Sequence, residues 1–179
     1  MDDTYSAAFG ETGPAAPEIA SGAPEGAPED PRTFLTFRIG GQTFALPVAP
    51  VREILDEQPV ASLPETPPDV LGLIDVRGEG VMVVDIAHRL GVRSQREADR
   101  RIVVLERAGA GARPLGVFAD QVLSVVELGG DEIEPAPAAD RAGRAILNGV
   151  ARLNGDLVLV LDHGALLGAS SDDPFDFAG

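Results

Sequence analysis

The sequence predicts a mainly β fold: two small five-stranded antiparallel β-barrel subdomains with short helices, related by an internal pseudo-repeat. Three observations predict it. The stretch from Leu71 to Asp85, closed by Leu90-Gly91, returns 77 residues later without a gap, from Asn148 to Asp162, closed by Leu167-Gly168. A long period seen twice points to two similar subdomains, because a solenoid needs three or more units. The apolar runs Val81 to Val84 and Leu157 to Leu161 are short, lack clean alternation and read as strands buried on both faces. Turn residues separate such runs throughout, and small sheets hide their edges by rolling up.

The elements follow in order. Phe34 to Ile39 and Thr43 to Pro47 read as strands joined at Gly40-Gly41. Pro50 suits the first position of a helix, so a short helix is expected at Val51-Arg52-Glu53-Ile54. The repeat then supplies strand, tight turn, strand and short helix. Asp85 follows the second of these strands, where it can accept from the free N–H groups of a helix start, worth about 1 kcal/mol. Gly91 can supply the left-handed residue that ends that helix. In the second half, Ile102 to Glu106 and Leu115 to Ala119 match the first two strands, and Val122-Leu123-Ser124-Val125 matches Val51 to Ile54. Leu153-Asn154-Gly155-Asp156-Leu157 is a strong hairpin signal, since Asn and Gly tolerate the positive φ of a two-residue turn. Asp162 and Gly168 repeat the capping pattern. The halves are placed at about 34–91 and 101–168.

Residues 1–33 and 169–179 are rich in Ala, Gly, Pro, Ser and acids, and are expected to be disordered. The chain has no cysteine, so disulfides and thiolate metal sites are excluded. No signal peptide is visible, and a cytoplasmic location is expected. Net charge is −15, of which about −6 belongs to the folded region; nucleic-acid binding is not expected of an acidic domain. The one basic stretch, Arg89, Arg93, Arg96, Arg100 and Arg101, reads as a solvated linker, or as a surface for an acidic partner.

Catalytic equipment is missing. Lysine is absent, which excludes Schiff-base and Walker-type chemistry. The two histidines, His88 and His163, occupy non-equivalent positions of the repeat and read as surface or helix-end residues. Asp85 and Asp162 fit capping better than a catalytic pair. No metal, cofactor or catalytic residue is therefore assigned.

Taken together, Phe34 to Gly168 resembles the CheW-like chemotaxis adaptor family. The resemblance rests on Gly72-Leu73-Ile74-Asp75-Val76-Arg77-Gly78 followed by Val81 to Ile86, on Gly116-Val117-Phe118-Ala119-Asp120 with Val122, on Ile133-Glu134-Pro135-Ala136-Pro137, and on the closing repeat. Against the family pattern, Asp75 stands where Asn is usual, Val76 where Leu is usual and Met82 where Pro is usual. The resemblance implies two small β-barrels around a shared core and no enzymatic activity. It implies a cytoplasmic adaptor, recruited to receptor arrays without direct membrane insertion. The partners would be the cytoplasmic tip of a methyl-accepting chemoreceptor and the regulatory domain of a CheA-type histidine kinase, which has the same fold. The alternatives are a paralogue in a non-flagellar pathway, such as pilus motility or development, and a small-ligand-binding barrel or enzyme.

Arg77 is the residue of most interest. Its repeat mate is Asn154, which suits a left-handed turn; Arg there costs about 1–2 kcal/mol if the turns share geometry. Otherwise the first turn differs in type and Arg77 is simply exposed. The resemblance pairs Arg77 with Glu53 on the short helix. It also places Val51, Ile54, Gly72 and Gly78 on the receptor-facing surface, with Ile102 and Val103 bordering the groove between the barrels.

Overall fold

The computed structural model describes residues 32–95, 99–136 and 146–168. The first half comprises β1 (Arg32–Ile39), β2 (Gln42–Pro47), β3 (Val51–Asp56), β4 (Val70–Val76), β5 (Glu79–Val84) and α1 (Ile86–Leu90). The second comprises β6 (Arg101–Leu105), β7 (Leu115–Ala119), β8 (Gln121–Leu128), a 3₁₀ turn at Gly130–Glu132, β9 (Ile133–Pro135), β10 (Leu147–Leu153), β11 (Asp156–Leu161) and α2 (His163–Gly168). The first strand starts at Arg32, so Arg32 and Thr33 belong to the fold and not to the tail. The rest of the tail expected at 1–33, and all of 169–179, lie outside the described residues.

The strands form two sheets, ordered β8-β1-β2-β11-β10-β9 and β3-β6-β7-β5-β4. Each sheet draws strands from both halves of the chain. Replacing every strand of the second order by its repeat mate yields the first, apart from β9. The repeat is therefore a pair of subdomains that exchange strands, and not two contiguous units divided at 34–91 and 101–168. Four pairings cross between the halves: β1 with β8 and β3 with β6 antiparallel, and β5 with β7 and β2 with β11 parallel. Parallel neighbours cannot be joined by a tight turn and need a crossover, which here contains α1 and β6 between β5 and β7, and most of the strands between β2 and β11. Even the registers match: Val83 lies opposite Gly116, and its repeat mate Val160 lies opposite Ala45.

Val51 to Ile54 is strand, not helix. It pairs antiparallel with β6, and past the bulge exposure alternates from Glu53 to Asp56 with the period of two that a strand requires. Pro50 heads it without loss, since its carbonyl still accepts from Glu106 N at 2.8 Å. A bulge at Arg52 puts Val51 and Ile54 on one face and matches the bulge near Val122 in β8.

Three apolar clusters hold the fold. Ile74, Val81, Val83, Ile102 and Phe118 fill the inside of the five-stranded sheet. Phe34, Ala45, Leu128, Val158 and Val160 do the same for the six-stranded one. Between the sheets lies the largest cluster, with Leu35, Phe37, Phe44, Val103, Leu105 and the helix residues Ile86 and Leu166. Both capping aspartates act as expected: Asp85 Oδ1 accepts from Ala87 N at 2.9 Å and Asp162 Oδ1 from Ala165 N at 3.0 Å. Gly91 ends α1 at φ 68°. The edge strands of each sheet are not hydrogen-bonded to each other. In the five-stranded sheet that gap is spanned by the single bridge Ala61–Leu73 and by side chains.

Candidate functional site

Those side chains make the site. The hairpin between β4 and β5 turns at Arg77 and Gly78, with φ 54° and 83°. Its mate turns at Asn154 and Gly155, with φ 52° and 91°. The two turns thus share geometry, and Arg77 sits in a left-handed conformation that disfavours it. From there Arg77 Nη2 donates to Glu53 Oε2 across the gap, at 3.1 Å. Arg77 is 79% exposed and Glu53 only 15%. On the same edge strand Arg52 Nη1 donates to Glu79 Oε2 at 2.8 Å, and Arg52 Nε lies 3.9 Å from Glu53. The Glu79 hydrogen bond and charge hold the Arg52 guanidinium above its ordinary pKa. Arg77, Glu53, Arg52 and Glu79 form one ladder from the hairpin to β3. The repeat signalled Arg77 and the family resemblance Glu53, but neither pointed to Arg52 and Glu79, because nothing in the spacing shows that the two edges approach.

The eight residues singled out by resemblance separate into two groups. Glu53, Ile54, Arg77 and Gly78 share the accessible edge, with Ile54 41% exposed and Val51 half-buried beside it. Gly72, Ile102 and Val103 are interior. Ile102 belongs to the inner cluster of its sheet and Val103 to the cluster between sheets. Gly72 is packed against the Ala61 backbone. These three lie buried beneath that edge.

The basic stretch is largely spent inside the molecule. Arg89 pairs with Asp69, Arg100 with Glu57 and Arg101 with Asp56. Arg96 lies outside the described residues. His88 and His163 are both exposed. Among the described residues, no helix is long and apolar enough to cross a membrane.

A second edge is as informative. β8 occupies in the six-stranded sheet the place that β3 holds in the other. Where β3 carries Arg52, Glu53 and Ile54, β8 carries Leu123, Ser124 and Val125, with Leu123 40% and Val125 58% exposed. Natural edge strands are normally blunted by charge. β3 is; the middle of β8 is not.

A strand-exchanged pair of β subdomains, with one charged and one apolar edge, defines a module built for protein contacts. The CheW-like domain family matches residues 33–171, and the chain belongs to that family. It is 29% identical over 132 residues to "Chemotaxis protein CheW" of Rhizobium meliloti, covering 73% of this chain and 84% of that protein. It is 30% identical over 123 residues to "Protein FrzA" of Myxococcus xanthus, covering 69% of this chain and 76% of that one. "Protein PilI" of Pseudomonas aeruginosa is 30% identical over 116 residues, 64% of each chain. The crystal structure of the scaffolding protein TtCheW from Thermoanaerobacter tengcongensis shares the fold, with a TM-score of 0.67, 23% identity, and coverage of 79% of this chain and 90% of that one.

Proposed function

We propose that this protein is a non-enzymatic adaptor that couples chemoreceptors to a CheA-type histidine kinase. The observation that carries this reading is Arg77. An exposed arginine is kept in a left-handed turn where its own repeat mate is asparagine. Strain retained at a surface residue is a sign of use. The edge formed by Arg77, Glu53 and Ile54 is the receptor-binding surface. The apolar edge of β8, with Leu123 and Val125, receives the regulatory domain of the kinase, whose matching fold offers a complementary sheet edge. The protein acts in the cytoplasm and joins receptor arrays through these contacts.

The test is paired. Arg77→Ala removes an exposed ion pair, worth about 0–1 kcal/mol, and leaves a Cβ in the left-handed turn as before, so the melting temperature should hold or fall only slightly. Kinase activation in reconstituted receptor–kinase–adaptor arrays should fall sharply, while binding to the isolated kinase domain survives. Val125→Asp should do the reverse and abolish kinase-domain binding. If Arg77→Ala unfolds the protein, Arg77 is structural; if it leaves stability and coupling both unchanged, the receptor surface lies elsewhere.

A second reading in the same class is a paralogue serving a non-flagellar chemosensory pathway. The departures Asp75, Val76 and Met82 favour it, as does similarity to FrzA and PilI at 30% identity, against 29% for the CheW protein of Rhizobium meliloti. Binding assays against the regulatory domain of every such kinase in the source genome would separate the two.

A further inference from the structure

We propose that Asp75 is a positioning residue, whose carboxylate holds the turn that places Arg77 against Glu53. This deepens the receptor-surface reading and rests on it for its meaning, though not for its geometry. Asp75 Oδ1 accepts from Gly78 N at 3.0 Å, bridging the base of the turn. Asp and Asn side chains stabilise turns in this way by bonding to backbone further along the chain.

The mate hairpin shows why it is needed here. Position 75 corresponds to Arg152, which offers no acceptor, and that turn is made by Asn154-Gly155. Asn-Gly adopts two positive φ values unaided. Arg-Gly does not, because the Cβ of Arg77 crowds its own backbone. The first hairpin therefore has an unfavourable residue and a carboxylate clamp, and the second has neither. The clamped N–H belongs to the residue after Arg77, and it meets Asp75 with Arg77 in the left-handed conformation. That conformation is also the one from which the guanidinium meets Glu53. Either Asp or Asn can accept this bond, so the departure from the usual Asn preserves the clamp and adds one negative charge beside Arg77.

The experiment uses NMR of the full chain. The sign of φ at Arg77 is read from its amide-to-Hα coupling and cross-peak, alongside array activation. Wild type and Asp75→Asn should both show positive φ at residue 77. Asp75→Ala should lose the positive-φ signature, and coupling should fall with it. Adding Arg77→Asn to Asp75→Ala should restore the positive φ, because an Asn-Gly turn needs no clamp. If Asp75→Ala keeps Arg77 left-handed, the proposal is overturned. If the signature is lost but coupling is intact, the clamp stands and the receptor-surface reading fails.

Discussion

Asp120→Ala is expected to lower the melting temperature by about 10 °C, from a loss of about 3 kcal/mol. Asp120 is 2% exposed and stands where the chain steps from β7 in one sheet to β8 in the other. Its carboxylate accepts from Gly40 N at 2.7 Å and from Gln95 N at 2.9 Å. It also accepts from the Ser94 hydroxyl. Three segments are thus tied to one buried charge: the β1–β2 turn, the connection between the halves, and the crossover itself. Alanine would leave two backbone N–H groups and a hydroxyl without their acceptor in a partly shielded site. Such groups each cost about 1–3 kcal/mol when no water can replace the partner.

Arg100 adds to the effect. Its guanidinium lies over the Phe118 ring at 4.3 Å and pairs with Glu57 at 2.9 Å. Its buried Nε has no hydrogen-bond partner and is balanced by the Asp120 charge at 3.9 Å. Removing that charge leaves the arginine poorly compensated, which is the costly way to break a buried pair. Asp120→Asn keeps one acceptor oxygen but turns an amide towards donors, so it should fall between. Thermal unfolding followed by circular dichroism decides the matter, with exposed Glu127→Ala as the control. A drop under about 3 °C for Asp120→Ala would mean that water or relaxation satisfies these groups.

How much of this was legible in the sequence depended on whether the information was local. The hairpins, both capping aspartates and Gly91 were readable because each is set within a few residues. Arg77 stood out because the repeat supplied its own control in Asn154. Val51 to Ile54 misled because Pro50 is equally at home before a helix and before a strand; pairing with β6 decided the outcome. The strand exchange was invisible for a deeper reason. A repeat has two copies of every strand, and either copy satisfies the same register, so sequence alone cannot say whether β5 pairs with its own half's β2 or with β7. The ladder from Arg77 to Glu79 inherits this difficulty, as it exists only because the sheet brings its two edges together.

The same logic separates contact from support at Gly72, where Gly72→Ala should cost about 3 kcal/mol or more, near 9 °C in melting temperature. Gly72 has φ 142°, a region that side chains rarely enter, and an added Cβ would lie 2.1 Å from the Ala61 carbonyl oxygen. That oxygen cannot move away cheaply. Ala61 N donates to Leu73 O at 2.8 Å and Leu73 N donates to Ala61 O at 2.9 Å, so backing off breaks the only bridge along this edge among the described residues. Its repeat mate Gly149 meets the same problem against Glu134 O at 2.5 Å. The matched pair marks the place where each sheet brings a following segment, Ala61 or β9, up to its outer strand. Gly78 is the contrast: its φ is 83°, but a Cβ there would meet nothing within 4 Å. Gly78→Ala should therefore cost only the conformational penalty of about 1 kcal/mol. Loss of receptor coupling in Gly72→Ala would then follow from a damaged edge beneath Arg77, with melting temperature and coupling falling together. A Gly72→Ala protein that melts no lower than Gly78→Ala yet fails to couple would show that Gly72 touches the partner after all.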